Sequence, residues 1–218
     1  MSVYYPFDKE SITKLEYAFT NSGVILYPTD TLYALGCCLD DALAVDKIYL
    51  IKSRSKNAPL LMITDAWEKV IPWVNPISEE ALAVFKKLNA NPLSIALPSS
   101  HKVRKWLNSG GDSLAFRVTS DACVRAILQI SGKPLVATSA NISFSPGHSL
   151  ISKIDANISN QVDLVVDCKK NYKKKNIRHL ESTVLKYIPP QKLLLIRKGG
   201  YNMEQLEKDL PSDWLITI

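Results

Sequence analysis

Glycine is scarce in this sequence, with eight residues among 218, at positions 23, 36, 110, 111, 132, 147, 199 and 200. Their spacing spells neither G-x-x-x-x-G-K-[ST] nor G-x-G-x-x-G, which excludes a Walker-type phosphate loop and a dinucleotide-binding fingerprint. No G-x-S-x-G nucleophile elbow exists either. A nucleotide bound here needs another kind of phosphate site. Cysteine and histidine are equally sparse. Cys37, Cys38, Cys123 and Cys168 form no C-x-x-C pair, and His101, His148 and His179 are scattered, so no zinc pattern is present. The four thiols read as small, partly buried, reduced side chains. No run approaches the roughly 20 apolar residues of a membrane span. The opening MSVYYPFDKE lacks the basic and apolar regions of a secretory signal. The expectation is a cytoplasmic protein with no membrane partner.

What is present is ordinary in bulk: 46% hydrophobic and 22% charged residues, enough chain for one domain over 1–218 with a sizeable core. The net charge of +6 suits anionic partners such as nucleotides or RNA. Six of the positive charges lie in KKNYKKKNIR (169–178), which reads as a solvated loop or as a lid facing an anion.

Periodicity predicts alternating elements. Ile12, Leu15, Ala18 and Phe19 mark a helix within 10–22; Asp40 and Asp41 can cap a second; Ser78 opens a third; Asp121 caps a fourth that ends at Gly132. A short helix is predicted over 102–107. Strands are predicted at 24–28, 59–64, 93–98, 114–118, 135–138, 162–167, 183–188 and 193–198, the last two joined as an antiparallel hairpin. The sum is an α/β protein with a twisted, mixed parallel and antiparallel sheet flanked by helices.

Polar clusters stand at the ends of several apolar strands, where ligands of α/β sheets gather. Tyr27-Pro28-Thr29-Asp30-Thr31 offers hydroxyls and an acid, or equally a proline-led turn. Lys52-Ser53-Arg54 places two cations one residue apart. They can face one way in an extended segment and offset a triphosphate's charge, or complement a helix dipole. Ala137 to Ser143 (ATSANIS) brings small residues and hydroxyls to a strand-to-loop junction, open to phosphate oxygens or an ordinary turn. Glu181-Ser182-Thr183 opens one late strand, and Arg197-Lys198-Gly199 closes another. Arg117, a lone cation in the apolar run LAFRV, needs an anionic partner, either a ligand or a structural salt bridge.

In this order the clusters resemble the YrdC-like threonylcarbamoyl-AMP synthase family. The matching stretches are YPTDTLYALG (27–36), KSR with PLLMI (52–63), NPLSIAL (91–97), LAFRV (114–118), PLVATSANIS (134–143), VDLVVD (162–167), ESTV (181–184) and LLLIRKGG (193–200). The resemblance implies a sheet with a positively charged concave site. It implies that a threonine carbamate forms from threonine and bicarbonate and is then adenylylated by ATP, with loss of pyrophosphate, for a tRNA modification. Thr31, Ser182, Arg117 and the Ala137 backbone would hold threonine. Lys52, Arg54, Ser139, Asn141 and Arg197 would bind ATP with Mg²⁺, Lys52 and Arg54 being the catalytic pair. Ser113, just before LAFRV, is a further candidate for nucleotide contact. tRNA and the proteins that transfer the threonylcarbamoyl group are implied partners.

Some positions depart from the family pattern. Asn91-Pro92-Leu93-Ser94 stands for P-G-P-L-T, Ser55 for the proline after K-x-R, and Phe144 follows Ser143 where S-G is usual. Ala58 and Ile63 fall where some relatives carry a substrate-binding His or Asn. The chain stops soon after LLLIRKGG, so the C-terminal domain of longer relatives is expected to be absent. Two other readings fit the residues: an RNA-binding module, or a YrdC-like carbamoyl-adenylate enzyme acting on a different acid.

Overall fold

The short polar residues before the apolar runs start the helices, as their spacing predicts. Asp8, Asp41, Ser78 and Asp121 each accept a hydrogen bond from the backbone N–H three residues on, in α1 (Lys9–Thr20), α2 (Ala42–Ile51), α3 (Glu79–Leu88) and α4 (Ala122–Ser131). Gly132 closes α4 in the left-handed conformation, φ 63°. Two shorter helices, α5 (Ala156–Ser159) and α6 (Met203–Asp209), carry too few periodic apolar residues to be read from sequence. The structure, a computed structural model, describes residues 3–4, 8–89, 92–103, 107, 110–143, 145–168 and 180–217. Half of the helix predicted over 102–107 and all of the basic stretch 169–178 lie outside them.

Among the described residues, eleven strands form one sheet. They are β1 (Val3–Tyr4), β2 (Ile25–Pro28), β3 (Tyr33–Cys38), β4 (Leu61–Thr64), β5 (Leu93–Pro98), β6 (Ser113–Val118), β7 (Leu135–Ser139), β8 (Leu164–Val166), β9 (Thr183–Ile188), β10 (Lys192–Arg197) and β11 (Leu215–Thr217). Their order is β1-β8-β2-β3-β7-β4-β6-β5-β9-β10-β11. The sheet is mixed as predicted: β2 and β8, β4 and β6, and β5 and β9 run parallel, while β7 runs antiparallel to both β3 and β4. The β9–β10 hairpin is antiparallel, as its short turn requires. Three strands escaped the sequence reading: the short edge strands β1 and β11, and β3 at the centre. β3 is buried at all six positions and reads as an unbroken apolar run, LYALGCC, with no alternation to mark it.

Side chains pack on both faces. One face meets α2, α3 and α6 through Val45, Ile48, Phe85, Leu88 and Leu206. The other meets α1 and α4 through Leu15, Ala18, Val124, Ile127 and Leu128. On this second face the central strands carry small residues. Ala34 and Gly36 of β3 lie opposite Ser139 and Ala137 of β7, and Ala96 of β5 lies opposite Ala115 of β6. Gly36 is obligatory, since a Cβ would sit 2.8 Å from the Tyr27 ring and 2.9 Å from the Val136 carbonyl oxygen. Space left by these small side chains becomes the cavity described below.

The structure corrects the reading of four reduced thiols. Cys123 at the start of α4 and Cys168 just beyond β8 form a disulfide, with Cα atoms 6.1 Å apart; Cys37 and Cys38 stay buried as thiols. The pair is 45 residues apart in sequence and is brought together by the packing of α4 on the sheet. Closing a loop of that length stabilises the fold by about 4 kcal/mol in the chain-entropy picture. Reduction should therefore lower the thermal midpoint by roughly 10 °C. Unfolding with and without dithiothreitol checks this, and an unchanged midpoint would contradict it.

Candidate active site

The turn after α2 places two cations differently. Lys52 is the C-cap, Ser53 adopts the left-handed conformation at φ 48°, and the amides of Ser53 and Arg54 return to the carbonyls of Leu50 and Tyr49 at 3.0 and 2.9 Å. This double closure sends Lys52 inward and Arg54 toward the sheet. Of the two readings of Lys52-Ser53-Arg54, the helix C-terminus holds and the extended segment does not, and the two side chains do different jobs.

Lys52 is 2% exposed, and its ammonium donates to three oxygens of the β7 loop: the Ser139 carbonyl, the Asn141 carbonyl at 2.7 Å and Asn141 Oδ1 at 3.2 Å. The Lys52 carbonyl accepts the Ser143 amide at 3.1 Å. An ammonium has three donors, and all three are spent here, so Lys52 clamps residues 139–143 and offers its charge through that loop. Burial, with a smaller contribution from neighbouring Arg54 and against the pull of Glu181, takes its pKa down to about 8. Protonated Lys52 is thereby disfavoured in the folded chain, so its contribution to stability rises between about pH 8 and the ordinary lysine range. The clamp behaves oppositely: a neutral amine cannot satisfy three acceptors. Affinity for a triphosphate should fall as pH rises through 8, measured as the ATP dissociation constant between pH 6.5 and 9.5. A flat profile would show that the charge on Lys52 does not matter.

Arg54 lies across the opening, donating from Nη1 to Thr138 Oγ1 at 3.3 Å and from Nη2 to the Pro59 carbonyl at 2.9 Å. Arg117 of β6 is 5% exposed and has found its anionic partner. Nη2 pairs with both Asp30 oxygens at 2.8 and 2.6 Å, and Nη1 donates to Thr31 Oγ1 at 3.1 Å. Thr31 Oγ1 also lies 3.0 Å from Thr29 Oγ1. Arg197, at the end of β10, pairs through Nη1 with Glu181 and donates to the Ser182 carbonyl at 3.0 Å from Nη2. Ser182 Oγ meets Ser94 Oγ at 2.8 Å, across the parallel β5–β9 pair.

A cavity of about 310 Å³ collects these groups. Thr31, Arg54, Arg117, Ala137, Ser139, Ser182 and Arg197, seven of the residues singled out in sequence, line it. Lys52 and Asn141 line a neighbouring cavity of about 690 Å³ that shares Arg54, Ser139 and Glu181 with the first. Ser113 lines neither; it opens β6 beside Pro98, and its hydroxyl donates to Asp112 at 3.0 Å. Sequence reasoning gave no site role to Ser94 or Glu181, and named Asp30 only as the acid of its cluster. All three stand inside the motifs that carried the resemblance, but only their contacts 87, 88 and 16 positions away show what each one faces.

The strand ends of this α/β sheet bring Lys52, Arg54, Arg117, Arg197 and several hydroxyls to adjoining cavities, groups of the kind that can meet an anionic ligand without a glycine-rich phosphate loop. Residues 18–199 match the Sua5/YciO/YrdC family, described as telomere recombination, and the chain belongs to that family. A threonylcarbamoyl-AMP synthase of Pseudoalteromonas translucida is 31% identical over 164 residues, 73% of this chain and 87% of that protein. One from Pyrococcus abyssi is 28% identical over 187 residues, 85% of this chain but 53% of the relative's length. The crystal structure of P. abyssi Sua5 complexed with L-threonine superposes with a TM-score of 0.83 at 26% identity, over 96% of this chain and 60% of that one. Escherichia coli YciO, at 21% identity and TM-score 0.75, shares the fold over 89% of this chain and 92% of its own.

Proposed function

We propose that this chain is an L-threonylcarbamoyladenylate synthase, making threonylcarbamoyl-AMP and pyrophosphate from L-threonine, bicarbonate and ATP. The observation that carries the reading is the convergence of Thr31, Arg54, Arg117, Ser139, Ser182 and Arg197 on one cavity. The curated relatives named for this activity, and the threonine complex of a relative of the same fold, support it.

Chemically, a threonine ammonium and bicarbonate condense to a carbamate, water and a proton. A carbamate oxygen then attacks the α-phosphorus of ATP; the new P–O bond forms as the bond to the β-phosphate oxygen breaks and pyrophosphate leaves. No protein nucleophile is needed. The step needs two anions held together and charge on the leaving group stabilised. Arg117, held in place by Asp30 and Thr31, presents its remaining donors to the threonine carboxylate, and Ser182 with the Ala137 backbone completes that end. Arg54 and Arg197 meet the phosphates, and Lys52 holds Ser139 and Asn141 where their groups can reach them.

Mg²⁺ fits this set of donors. Among the described residues no three carboxylates, histidines or cysteines form a metal cluster, and a single carboxylate, Glu181, lines the cavities. Magnesium that keeps waters and phosphate ligands needs no more than that. It supplies charge neutralisation to the triphosphate. The product would pass to the proteins that modify tRNA, which places the work in the cytoplasm. No described helix is long and apolar enough to cross a membrane. Incubation with ATP, threonine and ¹³C-bicarbonate, followed by mass spectrometry, tests the assignment. A product carrying the heavy carbon is expected, and an AMP adduct without it would assign the site to a different acid.

A further inference from the structure

We infer that Glu181 makes this site select Mg²⁺-bound nucleotide over the metal-free form. The inference rests on the ATP site proposed above and deepens it. Glu181 is the one carboxylate among the described residues lining either cavity, and it lines both. It pairs with Arg197 and lies close enough to Lys52 and Arg54 to act on each electrostatically. Arg117 is matched already by Asp30. Among the described residues, three cations, Lys52, Arg54 and Arg197, against one carboxylate leave two net positive charges lining the cavities.

Metal-free ATP carries about four negative charges and its magnesium complex about two, because a bound divalent ion resets the local charge. The second matches the cluster. Toward the first, Glu181 is a like charge in a partly desolvated site, which costs affinity. Toward the second it also presents an oxygen to the hydrated ion.

Glu181 is not needed as glue. Its ion pair with Arg197 is partly open to solvent, with side chains 34% and 44% exposed, and such pairs contribute little. The same segment is fixed by its backbone: the Gly200 amide donates to the Glu181 carbonyl at 2.8 Å and Arg197 to the Ser182 carbonyl. A carboxylate that is dispensable for structure, yet central to the cation cluster, acts on the ligand.

Calorimetric binding of ATP to the full chain without threonine, in EDTA and in excess Mg²⁺, tests the inference on wild type, Glu181→Gln and Glu181→Asp. The wild type should prefer the magnesium form by about tenfold or more. Glu181→Gln should bind metal-free ATP about tenfold more tightly and lose most of that preference, while Glu181→Asp keeps it. Equal affinity of the wild type for both forms overturns the inference without any variant. An unchanged ratio in Glu181→Gln, or an equal loss for both forms, overturns it too. Because no threonine is present, a chain that binds ATP selectively yet forms no adenylate sinks the proposed substrate and leaves Glu181's role standing. A chain that binds neither form sinks both.

Discussion

Replacing Arg54 with alanine should reduce pyrophosphate release by about a hundredfold or more, the scale on which a charged transition-state contact acts. Among the described residues, Arg54 is the single cation that lines both cavities. It spends two donors on Thr138 Oγ1 and the Pro59 carbonyl, a bracing that fixes the guanidinium plane and leaves its other N–H groups for the ligand. Lys52 cannot substitute, because its three donors hold the β7 loop. The loss should appear mainly in kcat if Arg54 acts on the leaving pyrophosphate, and in the KM for ATP if it only binds the ground state. Steady-state kinetics on a variant with an unchanged melting temperature separates the two. Near-normal turnover would remove Arg54 from the phosphate site.

Adding one methyl group at Gly199 should be nearly as damaging, by a different route. A Cβ there would collide with the backbone of Glu181, Ser182 and Thr183, and none of these atoms belongs to a side chain that can swing away. The Gly199 and Tyr201 amides both donate to the buried Thr183 Oγ1 at 3.1 Å, so the end of β10 is stitched to the start of β9. Gly199→Ala must push these strand ends apart at a cost of about 1–3 kcal/mol. That movement carries Ser182 and Arg197 with it, so threonine and ATP should both bind at least tenfold more weakly. Thermal unfolding and the two KM values check this. A variant that melts lower but keeps both KM values would show that the strand ends do not position the site.

The local grammar of the fold was legible. Asp41, Ser78, Asp121 and Gly132 delimit helices because capping is a contact between near neighbours. β3 was hidden because a strand buried on both faces shows no alternation, and its Gly36 looks like a break when it is a close approach to Tyr27. In the site, the cations and hydroxyls announced themselves by type and order. What each faces did not. Arg117 finds Asp30 at a separation of 87 residues and Ser182 finds Ser94 at 88, both set by strand order. Lys52 looked like a phosphate ligand, and only its three carbonyl and amide acceptors show it as the clamp of a loop. The Cys123–Cys168 bond was invisible for the same reason, since no spacing rule predicts a pair joined through the packing of α4 on the sheet.

The most direct test of the proposed activity is pyrophosphate release from ATP and Mg²⁺, with threonine and bicarbonate supplied together and separately. Release that requires both is the expected result, since the carbamate, not the amino acid, attacks the α-phosphorus. Release indifferent to threonine would contradict the assignment, leaving the cavity and its cations to serve a different acid.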